Sequence, residues 1–381
     1  KLKIKVSPRT INYKNIGENS EKISYKMTMG FNLIKDNIEG GTYKFSTLDN
    51  NIATVDENTG VVTAQGVGTT YIRIYNKQND CYAAVKVQVN GEQGRTAAKI
   101  VGGWNHFVTL KANGEVWTWG NNKYGQLGTG NTNKQIKPRK TNIYDSKDTT
   151  QTEYAIDVAA GAYHTLVLKS DGTVWTSGQN KYGQLGDGST VDSNSFHKVK
   201  LNENGEYLEN IVSVAAGYST SYAVTSDGEV YGWGSNRYGE LGQGSKSDDP
   251  VLYPTKMKKV SNMIQISSGA EYIVMLDAEG KVWGTGYNGY GQLGIGNTTL
   301  QTLPQQMTSI SGIKEISAKS NNTYMLTEGG YVEAVGYDYY SQLGDGGNTY
   351  RTTAVSVKTT SNKYVSDAKH IAAGENSVFI S

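Results

Sequence analysis

The sequence predicts an all-β protein built mostly from one repeated unit, and three observations carry that expectation. The first is a phrase. Val116–Gly130 reads VWTWGNNKYGQLGTG and returns, varied, from Val174, Val230, Val282 and Val332. Its leucine falls at 127, 185, 241, 293 and 343, in steps of 58, 56, 52 and 50 residues. A period near 50 residues marks a propeller or solenoid, not an enzyme folded round one unique pocket. The second is composition: 27 Tyr and 46 Gly accompany a hydrophobic content of only 36%. Tyr, Thr and Val suit pleated, half-buried strands, and Gly suits the turns between them. The third is the scarcity of apolar stripes at helical spacing.

Charge and length narrow the function classes. The 37 basic and 35 acidic side chains nearly balance, so the chain lacks the basic surplus of a nucleic-acid binder. No apolar run approaches the roughly 18 residues of a membrane span. The single cysteine, Cys81, excludes an intrachain disulfide framework and reads as a small buried residue. The sequence opens at Lys1 without a signal peptide, which is expected of a piece of a longer protein.

Residues 1–90 lack the repeat. Lys3–Val6, Tyr43–Ser46, Tyr71–Ile74 and Ala83–Val89 alternate as strands, with polar turns such as Asp56–Gly60 between them. Several short alternating strands predict a β-sandwich. The stretch from Phe45 to Thr69, with Ala53-Thr54-Val55, Gly60-Val61-Val62-Thr63-Ala64 and Gly68-Thr69, closely resembles the bacterial immunoglobulin-like family, group 2. Phe45 stands where that family usually has Trp. The resemblance implies a surface-exposed or secreted bacterial protein with this module as a spacer or adhesive stalk. Residues 91–96 read as a short polar linker that limits the separation of the two parts without fixing their angle.

From residue 97 each unit opens on a strand and a glycine turn: Val101–His106, Val158–His164, Val214–Thr220 and Ile266–Tyr272, more weakly Ile316–Thr323, and a sixth at Ile371–Ser377. A second strand turns back through Asn113-Gly114, Asp171-Gly172, Asp227-Gly228, Glu279-Gly280 or Gly329-Gly330. These are hairpin signals that want positive φ at both central positions. Each unit therefore predicts about four strands, one propeller blade. The A-A-G-x-x-H opening, the D-G hairpin, the V-W-x-W-G strand and the N-x-Y-G-Q-L-G-x-G phrase strongly resemble the regulator-of-chromosome-condensation repeat family. That resemblance implies a β-propeller, commonly of seven blades, across residues 97–381. The chain supplies five full repeats and a partial sixth. At about 54 residues per unit, seven blades need roughly 380 residues, so the array is expected to be incomplete at its C-terminal end.

The motif residues read as structural. Tyr and Leu of each Tyr-Gly-Gln-Leu-Gly are expected to plug the gap between blades, and Trp117, Trp175, Tyr231 and Trp283 to pack between sheets. His106 and His164 share one repeat position with Thr220, Tyr272, Thr323 and Ser377. A hydrogen bond that ties down the turn explains that set better than a metal or acid–base role. His197 and His370 have no sequence partner. Asp187 and Asp345 lack the alternating carboxylates of a calcium loop. Neither a phosphate loop nor a nucleophile elbow nor an H-E-x-x-H motif occurs, so no catalytic residue, metal or cofactor is predicted.

Function is then expected where the copies disagree. The loops after the opening glycines place Trp104, Asn105, Tyr163, Tyr218, Glu271 and Asn322 as candidate rim residues for a protein or glycan ligand. The opposite end of the ring is expected to carry Lys123, Lys181 and Arg237. The expectation is a non-enzymatic interaction or adhesion protein of a bacterial surface or secreted fraction. Two alternatives are a self-assembling structural subunit of a surface layer or filament, and an inhibitor or regulator of a partner enzyme. Guanine-nucleotide exchange fits poorly beside a bacterial module.

Overall fold

The described residues of the computed structural model are 2–7, 10–13, 17, 24–29, 32–35, 43–76, 81–90, 94–143 and 154–381. Among them every regular element is a strand. Five antiparallel four-stranded sheets follow one another, each with its strands in chain order. Blade one is Lys99–Gly102, His106–Leu110, Val116–Gly120 and Gln135–Thr141. Blade two is Ala155–Ala160, His164–Lys169, Val174–Gly178 and Ser193–Lys198. Blade three is Ile211–Ala216, Thr220–Thr225, Val230–Asn236 and Ser247–Lys256. Blade four is Met263–Ser268, Tyr272–Asp277, Val282–Gly286 and Gln301–Gln306. Blade five is Ile313–Lys319, Asn322–Thr327, Val332–Gly336 and Arg351–Ser356. A two-stranded hairpin, Ile371–Ala373 and Val378–Ile380, packs against blade five.

The hairpins inside the blades differ in detail from expectation. Lys169 N donates to Thr173 O and Gly172 N donates to Lys169 O. Only Gly172, at φ 80°, enters the left-handed region, and Asp171 does not. One glycine after an ordinary turn closes a three-residue loop, so the chain needs positive φ once rather than twice.

Repeated seams join the blades. Leu241 packs with Tyr222 and Val230 of blade three and with Met263, Ile266 and Ile273 of blade four. Leu293 likewise meets Ile316 and Met325 of blade five. The five repeat leucines are fully buried, as predicted, but their companion tyrosines are not. Tyr124, Tyr182, Tyr238 and Tyr290 are half-buried and Tyr340 is exposed. Of the two motif residues, only the leucine is sealed in the gap between blades.

A polar relay runs beside Leu127, Leu185 and Leu293. Thr165, Ser221 and Thr323 hydroxyls donate to the carbonyls of Gln126, Gln184 and Gln292 in the preceding blade, at 2.7, 2.7 and 2.9 Å. The same hydroxyls meet His106 Nε2, His164 Nε2 and Tyr272 Oη at 3.0, 3.0 and 3.1 Å. The repeat histidine position therefore pins its blade to the next one; it does not merely tie down its own turn. The pairing of Asn322 with Gly336 places Asn322, not Thr323, at this position in blade five.

The segment before the blades forms three small sheets: Leu2–Ser7 with Ser24–Met29 and Asn32–Lys35; Thr10–Tyr13 with Cys81–Val89, Gly68–Asn76 and Tyr43–Thr47; and Ala53–Val55 with Val62–Ala64. Phe45, Ala53, Val62, Ile72, Ile74, Val85 and Val87 fill its core. The Cys81 side chain and residues 91–93 of the expected linker lie outside the described residues.

This segment is held firmly against the blades, where the linker alone predicts a free angle. Lys86 Nζ donates to Val212 O at 2.8 Å, and Asn262 Nδ2 donates to Tyr82 O at 3.0 Å. Arg73 pairs with Glu328 at 2.6 Å. Leu48, with Tyr71, Tyr82 and Ala84, packs onto Ile264, Ile313 and Ile316. These contacts fall where the inner strands begin, so the segment covers that end of the propeller around a cavity of about 730 Å³.

Blade one presents an uncovered leading face. Ile100 is 64% exposed, whereas Val158, Val214, Ile266 and Ile316, its equivalents in register, are buried. Phe107 is 46% exposed and stacks on Trp119 at 5.3 Å. Its equivalents Thr165, Ser221, Ile273 and Thr323 are buried.

Candidate partner-binding face

Strand direction decides which loops share an end. In every blade the first strand rises to the opening turn, the second descends to the hairpin, and the third rises again. The third strand therefore delivers the Asn-x-Tyr-Gly-Gln-Leu-Gly phrase to the same end as the opening turn. The backbone confirms this: Asn121 N donates to Asn105 O, and Gln179 N donates to Tyr163 O. Lys123, Lys181 and Arg237, expected on the far end, lie on this one. The end covered by the N-terminal segment is the other.

The opening glycine is there for space. A Cβ on Gly161 would lie 2.1 Å from His164 Cε1 and 2.6 Å from Gly217 O, distances no side chain tolerates. Blade five alone has a lysine in this place. Lys319 Nζ donates to Gly102 O of blade one at 2.9 Å, tying the top of the last full blade to the first.

The face itself is paved with aromatic rings. Trp104 meets Tyr163 at 5.5 Å and Tyr218 at 4.8 Å, with planes at 88° and 83°. Tyr124 reaches Tyr163 at 5.0 Å. A second chain of rings runs from Tyr238 to Tyr287 at 5.3 Å, to Tyr290 at 6.1 Å and on to Tyr337 at 4.8 Å. The Arg237 guanidinium lies over the Tyr182 ring at 5.2 Å, between the two groups. Edge-to-face contacts are the favoured geometry for such rings, and they hold each one in place without a ligand.

Beside its phenols the face carries Lys123, Lys181 and Arg237, the last paired with Asp248 at 3.0 Å, and the Glu271 carboxylate. Burial pushes the Tyr218 and Tyr287 phenols above their ordinary range, with the Glu271 charge adding to both. The Glu271 carboxyl is pushed up by burial and drawn back by Arg237. Glu240 holds the place of the repeat glutamine. Burial raises its carboxyl, while hydrogen bonds from its own backbone N–H and from that of Tyr238 oppose the shift. No cluster of three His, Cys, Asp or Glu side chains among the described residues is arranged to hold a metal ion.

Of the six candidate rim residues, the structure brings Trp104, Tyr163 and Tyr218 into one group, with Asn105 exposed beside them and Glu271 half-buried nearby. Asn322 is displaced from the expectation. It is buried, with its Nδ2 donating to Tyr337 O, because it occupies the inward histidine position, and Asn321 takes the loop position. Sequence reasoning missed the motif tyrosines as surface. The signal was present in the parity of the strands, which puts the end of the third beside the end of the first.

Comparison with known proteins agrees with this architecture. A family model described as the RCC1-like domain matches residues 35–380, beginning inside the segment that precedes the blades. The ultraviolet-B receptor UVR8 of Arabidopsis thaliana is 32% identical over 224 residues, 57% of this chain and 48% of that protein. The chain thus spans about half the length of that relative. The RCC2 homologue of Danio rerio is 36% identical over 140 residues, 37% of this chain and 26% of that protein. Among solved structures, yeast RCC1 (Prp20) bound to Kap60 aligns at TM-score 0.61 and 15% identity, over 89% of this chain and 88% of that one. This last likeness is one of fold. On the breadth of the family match, the chain belongs to the RCC1-like domain family.

Proposed function

We propose that this chain is a non-catalytic recognition propeller that binds a protein partner on its tyrosine face. The observation that carries the reading is the Trp104–Tyr163–Tyr218 group: three rings from three successive blades, locked against one another and open to solvent on one end. Rigid aromatic side chains bind with little loss of rotamer freedom. The opposite end is occupied by the N-terminal segment, which leaves this face as the accessible end. Protein binding also fits the relatives, since yeast Prp20 is solved in complex with Kap60. The resemblance of residues 45–69 to group 2 bacterial immunoglobulin-like modules supports an exported bacterial protein in which that segment is a spacer. The test is a pull-down with the Trp104→Ala/Tyr163→Ala/Tyr218→Ala variant from extracts and culture medium, alongside a glycan array. Loss of the protein captured by the unsubstituted chain supports the reading. Full retention sinks it, and array binding without any captured protein turns the ligand class to glycan.

A second reading, self-assembly, is favoured by one observation. Ile100 and Phe107 lie bare on blade one, and Phe379 is 76% exposed on the terminal hairpin. Edge faces of this kind invite pairing with another copy. Light scattering over a concentration series should then show growth that Phe107→Ser suppresses; a strictly monomeric chain at all concentrations rejects it.

A further inference from the structure

The sheets are alike in backbone, but one groove between them differs in charge. The outermost strands of blades one and two enclose a cavity of about 660 Å³, within the usual size of a small-molecule site. Arg139, Lys140, His197, Lys198 and Lys200 line it, with Asp187 the one carboxylate among its lining residues. Asp187 is already engaged, accepting from Asn180 Nδ2 at 3.1 Å and from the Ser189 hydroxyl at 2.9 Å. Lys140 is paired with Glu115 at 2.6 Å. Arg139, Lys198 and Lys200 have no carboxylate within ion-pair distance among the described residues. Lys198 instead stands over Tyr207 at 4.9 Å and Trp175 at 5.7 Å.

The two lysines recur in the repeat, Lys198 as Lys140 and Lys256 and Lys200 as Lys258 and Lys358, but Thr173 stands where Glu115 and Glu229 pair with Lys140 and Lys256, and Arg139 does not recur. Arg139 pairs across the sheet with Thr118, and His197 with Thr176. The same register position holds Thr255 in blade three, Gln305 in blade four and Val355 in blade five. The fold therefore tolerates an uncharged side chain there, and Arg139 of blade one is the arginine or lysine at that position. Three cations around one cavity, unpaired among the described residues, repel each other, and an anion seated among them removes that cost. Arg and Lys together suit the tetrahedral oxygens of a phosphate. Tyr207, 42% exposed at the rim, offers a ring face beside them.

We infer that the groove between the outer strands of blades one and two binds a ring-bearing phosphate ester, such as a phosphorylated sugar. Arg139, Lys198 and Lys200 hold the phosphate, and Tyr207 packs against the ring. The site lies on the flank of the propeller and shares no residue with the tyrosine face.

Isothermal titration of the whole chain at low ionic strength tests this, with glucose 6-phosphate, inorganic phosphate and glucose as probes. Glucose 6-phosphate is expected to bind, inorganic phosphate more weakly, and glucose not at all. Arg139→Gln/Lys198→Gln should weaken glucose 6-phosphate binding roughly tenfold or more, since charged hydrogen bonds are lost. Tyr207→Ala should lower affinity for the ester and leave that for inorganic phosphate unchanged. Lys134→Gln/Lys137→Gln removes two charges outside the cavity and should change neither. The inference is overturned if no phosphate-bearing probe binds, or if inorganic phosphate binds as well as the ester. It is overturned equally if the Lys134/Lys137 variant loses as much as the Arg139/Lys198 variant, which would indicate diffuse surface charge. The replaced side chains are surface groups, and an unchanged melting curve of each variant secures the comparison. The Trp104→Ala/Tyr163→Ala/Tyr218→Ala variant should bind glucose 6-phosphate normally, so this result stands or falls apart from the partner-binding one.

Discussion

His164 of blade two donates from Nε2 to the Ser221 hydroxyl of blade three, 3.0 Å away, and Ser221 in turn donates to Gln184 O at 2.7 Å. Because the serine proton is committed to the carbonyl, the shared hydrogen belongs to the imidazole. That fixes the tautomer with Nδ1 unprotonated, and Nδ1 is buried without a partner. His106 repeats the arrangement with Thr165 and Gln126. Burial holds both imidazoles well below the ordinary 6.5, at about 4 for His164 and about 3 for His106. A proton added at Nδ1 would be a buried charge with nothing to accept it.

An acid-sensitive seam follows. The unfolded chain binds these protons near pH 6.5 and the folded chain does not, so their contribution to stability is complete above pH 6.5. It falls as pH drops from 6.5 towards 4, by up to about 1.4 kcal/mol per pH unit for each histidine. Thermal melts across that window should show a steep loss for the unsubstituted chain. The His164→Gln variant should show a shallower slope, though a lower melting temperature at neutral pH. Parallel slopes for the two chains would refute the linkage.

Asp338 marks a defect in an otherwise regular staple. Asn122, Asn180 and Asn288 each accept the N–H of their repeat leucine through Oδ1 and donate through Nδ2 to a loop carbonyl nine residues on. Asp338 keeps the first bond, from Leu343 N at 2.8 Å, but its Oδ2 is buried without a partner. Burial raises its carboxyl, and Asp345 adds to the shift. Asp338→Asn should therefore stabilise the chain by about 1 kcal/mol at pH 7. A carboxyl with a raised folded pKa loses stability as pH rises from 3.8 to that folded value, so the gain should shrink as pH falls through that window and level off below pH 3.8. An unchanged or lowered melting temperature at pH 7 would contradict this.

Phe107 and Ile273 occupy the same repeat position with different surroundings. Ile273 is fully buried between blades three and four, while Phe107 lies on the bare face of blade one. Ile273→Ser should cost about 3 kcal/mol or more, through the cavity left by the lost aliphatic side chain. Phe107→Ser should stay within about 0.5 kcal/mol. Denaturant midpoints of the two variants measure the difference, and equal losses would mean that blade one is covered after all.

Much of this architecture can be read directly from the residues. The repeat leucines at 127, 185, 241, 293 and 343 place the seams, and the glycine after each hairpin turn places the strand reversals, because both depend on local spacing and backbone sterics. The buried Asn322 was misassigned because its repeat is degenerate. With Lys319 in place of glycine, only the pairing of Asn322 with Gly336 settles the register.

What the sequence determined by itself was the all-β class, the blade period and the identity of the structural seam, since these follow from period, propensity and turn chemistry. Tertiary structure alone decided which surfaces are left open. Tyr124 and Leu127 lie three residues apart in one motif, yet one ring joins an exposed aromatic face and the other side chain is sealed between blades. Likewise Arg139 and Lys198, far apart in the chain, become neighbours only when blade two stacks on blade one. Burial and charge proximity are sums over distant segments, and no local pattern encodes them.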